Sequence, residues 1–260
     1  MKKLVIILTA ALTLCGCSIL QSRNWDTQQL LVAAANATTA VTLTDSQIQS
    51  LSNQTVAELD AKSTIDNGTY IKRLNKIMNG IDSAEGLPLN FKVYKTSEIN
   101  AFACGDGSIR VYSGLMDAMT DEEVFAIIGH EIGHVVHKDT KKAMQNAYMA
   151  AAARSTVSAA GGTVGKLAQS VLGDIAEAFV GAQFSQKQEF NADDYGYSFS
   201  VANGRSPYAM YNALNKLLTL SNGSKASALQ KMFSSHPDTE TRAARIKAKA
   251  DAATGKSSSQ

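Results

Sequence analysis

Two histidines and a glutamate within residues 129–134, the run GHEIGH, have the residue types and spacing of a metal-dependent hydrolase site. Residues four apart share one face of an α-helix with Cβ atoms about 5–6 Å apart, so His130 and His134 can bind one ion at about 2.0–2.1 Å. Glu131 lies about 100° round the helix, beside the ion rather than bound to it. From there it can take a proton from a water molecule acidified by zinc and pass it to the departing amine.

The same spacing arises by chance in unrelated helices, but two features of the chain argue against chance here. Three of its four histidines lie between positions 130 and 137. A helix is also predicted independently of them, because Thr120 and Glu123 form a capping box with Asp121 and Glu122 in the first turn. Apolar residues then recur at spacings of three and four, namely Val124, Ile127, Ile128, Ile132 and Val135.

The third ligand decides the subclass, since a catalytic zinc site has three protein ligands and an open position whereas a structural site has four. The glycine and third histidine that follow the motif in metzincins are absent, so His137 is predicted to lie on the surface or behind the ligands. Glu189 and Asp193 are again four apart, within a predicted long helix over Gly173–Asn203. One carboxylate can bind the metal while the other accepts a hydrogen bond from a ligand histidine. Without the zinc motif, a solvated acidic face that includes Asp194 would be the simpler interpretation.

Four ordered motifs together resemble one known family. They are the run at 129–134, the Glu-x-x-Ala-Asp run from Glu189 to Asp193, the segment Asn100-Ala101-Phe102-Ala103, and Ser235-His236-Pro237 with Arg242. The set is similar to the gluzincin family of HtpX heat-shock proteases and type I CAAX prenyl proteases, and most of all to its soluble periplasmic lipoprotein branch. The resemblance extends from about Tyr70 to Ala248.

This resemblance implies a fold, a cofactor and roles for the site residues. It implies a zincin-like α+β domain that binds one zinc ion per chain. The zinc ligands would be His130, His134 and Glu189. Glu131 would be the general base and acid, and Asp193 would support a ligand histidine from behind.

The late pair His236 and Arg242 matches residues near the active site of that family, and this implies that His236 or Arg242 stabilises the oxyanion of the tetrahedral intermediate. The alternative is a turn at His236-Pro237 followed by a helix with a surface arginine. The chain also departs from the family at Lys187, where an arginine is common, which puts only a nearby salt bridge in doubt. No stretch past the N-terminus has 18 apolar residues in a row, so the membrane helices of the prenyl proteases have no counterpart and prenyl-protein processing is not expected.

A small sheet or hairpin is predicted beside the zinc helix. Residues 91–95 alternate as a strand does, and segments 100–103 and 108–112 flank the turn Gly105-Asp106-Gly107 as a hairpin. An edge strand can pair with an extended substrate backbone, and we expect segment 100–103 to do so. The alternative is an internal strand whose Phe102 only packs in the core.

The N-terminus predicts export. Lys2 and Lys3 precede an apolar stretch, Leu4–Leu14, which is too short for a transmembrane helix and typical of a signal-peptide core. Residues 14–17, LCGC, resemble a bacterial lipobox, so residues 1–16 are predicted to be a cleaved lipoprotein signal. The alternative is a simple secretory signal cut near the same place.

Lipidation of Cys17 would anchor the mature chain, because more than one acyl chain gives stable membrane binding. Ser18, rather than Asp, follows Cys17, as in lipoproteins sorted to the outer membrane. The predicted location is therefore the outer membrane, facing the periplasm, with residues 17–44 as a tether. Cys104 then remains alone, and a buried thiol is predicted over pairing between chains.

Composition limits the remaining possibilities. A formal charge of +2, close to zero once Lys2 and Lys3 are removed, makes nucleic acid an improbable partner. With 45% apolar residues, the chain can form one mostly helical α+β domain, predicted over 45–250, with a disordered tail at 251–260. The small residues of 141–169 form either a lid or wall over the cleft or a plain helical hairpin.

The sequence thus predicts a zinc-dependent endopeptidase that hydrolyses misfolded or damaged envelope proteins. Its partners would be these substrates, the membrane, and possible envelope proteases or chaperones. The rival from another class is a latent, weakly active chaperone or assembly factor for outer-membrane proteins. The complete set of ligands and base argues against this rival, because loss of the base is the simplest route to an inactive relative. A non-peptide zinc hydrolase is disfavoured by the expected substrate-binding strand.

Overall fold

The structure is a computed structural model that describes Leu31, Ala34 and residues 44–147, 149–150, 176–223 and 225–255. The chain divides into two compact units, Met1–Thr42 with Gln145–Asp174, and Leu43–Met144 with Ile175–Gln260. In the first unit the described residues are helical. The second unit contains almost all described residues and the candidate site.

Two helices and a short hairpin open the second unit. Helix α1 spans Asp45–Lys62 and begins with a capping box formed by Thr44 and Gln47. Helix α2 spans Thr69–Ile77. The hairpin strands β1 (Ser83–Ala84) and β2 (Leu87–Pro88) follow.

A three-stranded sheet comes next, with β3 at Asn90–Tyr94, β4 at Ala101–Ala103 and β5 at Ser108–Tyr112. The strand order is β3-β5-β4, with β5 parallel to β3 and antiparallel to β4. The predicted hairpin is confirmed, and Gly107 provides the positive φ of 85° at its turn. Because β5 is central, β4 is an edge strand, as the substrate-binding hypothesis requires.

The remaining labelled helices form most of the domain. They are α3 (Ser113–Ala118), α4 (Asp121–Val136), α5 (Gln186–Ala202), α6 (Ala209–Ser221), α7 (Gln230–Ser235) and α8 (Thr239–Ala253), with a 3₁₀ turn at Ala226–Leu229. Helix α4 begins with the predicted capping box of Thr120 and Glu123. The mostly helical α+β class predicted from the sequence is confirmed.

Glycines allow α4 and α5 to cross closely. A β-carbon on Gly196 would lie 2.9 Å from the backbone nitrogen of His130, and one on Gly133 would lie 3.0 Å from the Cα of Ala192. These separations are shorter than carbon side chains tolerate, so the two helices can touch along their backbones only because both positions lack side chains. The crossing brings His130 and His134 on α4 against Glu189 and Asp193 on α5.

Two boundaries differ from the prediction. Within the predicted helix 173–203, residues 176–180 and 186–202 are helical but residues 181–185 are not. The helix breaks because Ser185 caps a new helix, with its side chain accepting from the backbone N–H of Gln188. Helix α8 runs to Ala253, so the polar tail begins later than residue 251.

Several predictions concern residues outside the described ranges: the signal at 1–16, lipidation of Cys17, the tether, most of segment 141–169 and the last five residues. Among the described residues, no helix combines the length and apolar character needed to cross a membrane.

Candidate metal centre

Four buried side chains converge between α4, α5 and the end of α7. They are His130, His134, Glu189 and His236, and one potential ligand atom from each lies within 4.8 Å of all the others. Three of them are the ligands implied by the sequence. The fourth, His236, follows α7 and is buried with its Nδ1 towards the other three.

Four of the six distances among these atoms are close to those expected around a tetrahedral ion. The Nε2 of His130 lies 3.1 Å from Nε2 of His134 and 3.3 Å from Nδ1 of His236. The Oε1 of Glu189 lies 3.3 Å from Nε2 of His134 and 3.1 Å from Nδ1 of His236. An ion at about 2.0–2.1 Å from four tetrahedral ligands would separate them by about 3.3 Å. Imidazole and carboxylate donors at these spacings are those of zinc sites.

The first supporting carboxylate is Asp193, as the sequence predicts. Its Oδ1 lies 2.8 Å from Nδ1 of His130, which leaves Nε2 free to face the ion position. Arg242, buried on α8, donates two hydrogen bonds to Asp193, at 2.7 and 2.8 Å. Its Nη1 also lies 2.6 Å from Oε2 of Glu189. Arg242 therefore holds two carboxylates in place, that of the ligand Glu189 and that of Asp193. Its contact with an oxyanion stays a prediction.

The second supporting carboxylate, Asp139, was missed by sequence reasoning. Its Oδ2 lies 3.1 Å from Nδ1 of His134, and its Oδ1 accepts a hydrogen bond of 2.8 Å from Gln188. A carboxylate five residues after the second histidine was visible in the sequence. An uninterrupted helix, however, would place it on a different face from His134.

Burial and charge shift the pKa values of these groups in opposite directions. Burial lowers the pKa of His130, although Asp193 opposes the shift. Burial disfavours the charged form of His134 as well, but its hydrogen bonds to the carboxylates of Asp139 and Glu189 raise its pKa to about 9. Burial would raise the pKa of Glu189, yet the neighbouring histidines hold it well below its ordinary range. The group is therefore a ligand set with its carboxylate ionised.

The charges of the site leave room for a cation. Among the described residues around it, four carboxylates are buried, those of Glu131, Asp139, Glu189 and Asp193, against the single buried guanidinium of Arg242. Uncompensated buried charge is costly. Without an ion, the raised pKa of His134 lets a proton on its ring offset one further charge; a divalent ion would replace that proton and offset two.

A small cavity adjoins the ligands and brings the base and the predicted substrate strand together. Its volume is about 20 Å³, enough for about one water molecule. The residues that line it include Asn100, Ala101, Phe102, Ala103, Glu131, His134, Phe179, Phe184 and His236. The sequence-predicted base and strand thus share one cleft, whereas Arg242 does not line it.

Two aromatic and polar features mark the cleft. The ring of Phe184 stacks on His134 with centroids 3.9 Å apart. The backbone N–H of Phe184 donates to the carbonyl of Ser235 at 3.1 Å. On the opposite wall, Oδ1 of the buried Asn100 has no hydrogen-bond partner in the described part of the chain. A buried acceptor without a donor is unusual, and a substrate N–H would satisfy it.

The other sequence candidates lie outside the cluster. His137 ends α4, is half-buried, and contacts Tyr195 edge-on at 6.1 Å between ring centroids, as expected for a residue off the ligand face. Asp194 pairs with Arg245 and Lys249 on α8. Cys104 is a free, buried thiol, as predicted.

A buried His-Glu-x-x-His helix, a glutamate ligand on a second helix and an edge strand beside the base define a metalloendopeptidase of the zincin type. The chain belongs to peptidase family M48, whose family model matches residues 69–250. The resemblance drawn from its motifs is therefore confirmed.

Curated relatives agree with this assignment. The chain is 43% identical over 249 residues to Metalloprotease LoiP of Escherichia coli (strain K12), covering 95% of each chain. It is 37% identical over 249 residues to Metalloprotease YcaL of the same organism, covering 95% of this chain and 96% of the relative. It is 27% identical over 217 residues to Protease HtpX of Legionella pneumophila subsp. pneumophila (strain Philadelphia 1), covering 67% of this chain and 75% of the relative.

Proposed function

We propose that this metalloendopeptidase uses zinc and degrades misfolded or damaged envelope proteins in a quality-control role. We further propose that a lipid on Cys17 anchors it to the outer membrane, facing the periplasm. The observation that carries the zinc assignment is the convergence of His130, His134, Glu189 and His236, with one potential ligand atom of each within 4.8 Å of all the others.

The residues of the cleft support peptide hydrolysis. When bound at these donors, zinc would polarise a scissile carbonyl and acidify a water molecule. Glu131 lies in the same cleft, where it can accept a proton from the attacking water and deliver it to the departing amine. The Nε2 of His236 lies 3.7 Å from Oε1 of Glu131, on the side of the ring away from the ligand cluster. From there it could donate a hydrogen bond to an oxyanion formed beside the base.

The edge strand supports a polypeptide substrate. Strand β4 pairs with β5 on one side, and its other side borders the cleft. An extended peptide can continue the sheet there through main-chain hydrogen bonds, and Oδ1 of Asn100 offers one more acceptor. Such main-chain recognition suits unfolded proteins of many sequences.

Cleavage of an unfolded protein by the full-length chain in detergent, with zinc quantified, tests the activity. Glu131→Gln is the matched variant, because it removes the base but none of the four donors. We expect cleavage by the parent and zinc without cleavage in the variant. Zinc absent from both proteins would contradict the ligand assignment, and equal cleavage by both would contradict the role of Glu131.

A latent form is the second candidate, favoured by two observations. His236 supplies a fourth donor where a catalytic site keeps an open position, and the cleft has room for about one water molecule. A peptide would require residues 179–184 to move and His236 to withdraw. Slow cleavage by the parent that rises after removal of the Phe184 ring, in Phe184→Ala, would favour this candidate.

Metabolic labelling with a palmitate analogue tests the anchor. We expect label and outer-membrane fractionation in the parent and neither in Cys17→Ala. Because the active-site residues are unchanged, the purified variant should retain cleavage. A parent without label would contradict the lipid anchor and leave the peptidase assignment intact.

A further inference from the structure

We propose that Asp139 and Gln188 form a positioning pair that holds the ligands His134 and Glu189 in register. Asp139 accepts a hydrogen bond from each side, from Nδ1 of His134 across 3.1 Å and from Nε2 of Gln188 across 2.8 Å. Gln188 directly precedes Glu189 in α5. The pair therefore links the end of the α4 motif to the start of the helix that carries the third ligand.

The end of α4 delivers Asp139 to its partner. The helix stops at Val136, and Lys138 adopts a left-handed backbone conformation with φ of 59°. A non-glycine residue there costs about 1 kcal/mol or more, so contacts must hold the turn in place. The turn folds the chain back, and Asp139 is only 2% exposed, against the imidazole of His134. Because the helix ends abruptly, the carboxylate of Asp139 lies next to His134, five residues earlier in the chain.

Gln188 serves two hydrogen-bonding groups at once. Its Oε1 accepts from the backbone N–H and the hydroxyl of Ser185, at 2.9 and 2.8 Å, which completes the capping box of α5. Its Nε2 donates to Asp139. Because one amide serves both the cap and the carboxylate, the first turn of α5 is tied to the α4 end, one residue from Glu189.

This pair is independent of the support given to His130. Asp193 and Arg242 hold His130 from α5 and α8, whereas Asp139 and Gln188 hold His134. Each imidazole has its own carboxylate, which fixes the tautomer that presents Nε2 to the ion. Loss of either carboxylate should therefore weaken metal binding without removing a ligand.

Metal affinity, measured by competition with a chromogenic chelator, tests the proposal without relying on cleavage. We expect Asp139→Ala to bind zinc about 10- to 100-fold more weakly than the full-length parent. Asp139→Asn, which keeps an acceptor for His134, should recover part of this loss. The absorption bands of the cobalt-substituted protein should shift in Asp139→Ala, because a reoriented imidazole changes the ligand field.

Two further variants separate positioning from general loosening of the turn. Asp45→Ala removes the ion pairs from Asp45 to Lys138 and Lys141, in the same turn, but no contact with His134. It should leave zinc affinity within about twofold, well below the loss expected at Asp139. Gln188→Glu keeps a capping residue at the third helical position but places a carboxylate against Asp139, so affinity should fall. If Asp139→Ala does not fold, the zinc affinity of Gln188→Glu still tests whether the pair positions the ligands.

The outcomes distinguish this proposal from the proposed function on which it rests. A parent that binds no zinc would overturn both. A parent that binds zinc, with Asp139→Ala and Gln188→Glu unchanged in affinity and cobalt spectrum, would overturn the positioning pair alone. Equal weakening by Asp45→Ala would also overturn it, because the effect would then come from the turn.

Discussion

The metal centre and the sheet each bury charged groups, but they do so in opposite ways. Beside the sheet, Asp60 on α1 accepts hydrogen bonds from the strand residues Arg110, Lys92 and Tyr94 at 2.7–3.1 Å. Opposite charges pair there, and each donor points at an acceptor. In the metal centre, ring nitrogens of His130, His134 and His236 face one another at 3.1 and 3.3 Å. The carboxylate of Glu189 lies at the same point, so four potential ligand atoms meet there instead of separate donor–acceptor pairs.

The difference teaches which buried polar groups are structural and which are functional. The sheet cluster is satisfied by its own residues, so its contribution is to folding stability. The metal centre would be completed by a cation, because imidazole nitrogens and a carboxylate converge there on one point. Substitutions should therefore affect stability in the first region and metal binding or catalysis in the second.

Glu131→Gln should give the largest effect. Loss of the base is expected to reduce the cleavage rate about 10²- to 10⁴-fold, because general acid–base catalysis contributes about that much. Rates on an unfolded protein substrate, with zinc content and thermal unfolding as controls, check this. A variant that retains more than about a tenth of the parent rate would refute a catalytic role, because its loss would then fall well short of that range.

Arg110→Met should mainly affect stability. Removing one partner of a buried ion pair leaves Asp60 with Lys92 and Tyr94 alone, which should cost about 3 kcal/mol of unfolding free energy. Urea unfolding measures the loss. Zinc affinity of the folded variant should match that of the parent, and a large change in affinity would show that the two regions are coupled.

Lowering the pH should give the third-largest effect, a loss of stability through protonation of Asp60. Burial would raise the pKa of Asp60, but its hydrogen bonds to Arg110, Lys92 and Tyr94 lower it from 3.8 to about 2. This lower pKa adds about 2 kcal/mol to the unfolding free energy. The contribution is fully present when the pH is above the ordinary pKa of Asp60, and it is lost as the pH falls through the pKa of Asp60 in the folded protein. The stability difference between the parent and Asp60→Asn should therefore shrink between about pH 5 and pH 2. A constant difference would exclude titration of Asp60 as its origin.

Asp193→Asn should give the smallest of these effects. The amide keeps an acceptor for Nδ1 of His130 but loses the charge that pairs with Arg242, so zinc affinity should fall about tenfold. Chelator competition measures this. If affinity is unchanged while unfolding free energy drops, Asp193 belongs with the stability cluster and the contrast between the regions weakens.

Much of the site was predictable because its signals are local. The capping box of Thr120 and Glu123 located the start of α4, and alternation and turn residues located the strands around Gly107. The ligand positions His130, His134 and Glu189 followed from helical spacing and from the family resemblance. These features depend on neighbours within a few residues, which a sequence displays directly.

The residues that were missed depend on tertiary contacts or on rare backbone geometry. Asp139 reaches His134 through the left-handed residue Lys138, a conformation that the sequence does not mark. The need for Gly196 arises from the backbone of α4, which is distant in sequence. The position of His236 as a fourth donor depends on how α7 ends against α5. Each of these is a property of the assembled domain.

The four donors come from three places along the chain, with His130 and His134 on α4, Glu189 on α5 and His236 after α7. An ion bound to all of them would act as a cross-link that closes long loops, as a disulfide does. Cys104, a free thiol, offers no such link. Zinc supply would then govern not only turnover but also the lifetime of the protein, since chelation would expose the apo chain to unfolding and to other proteases.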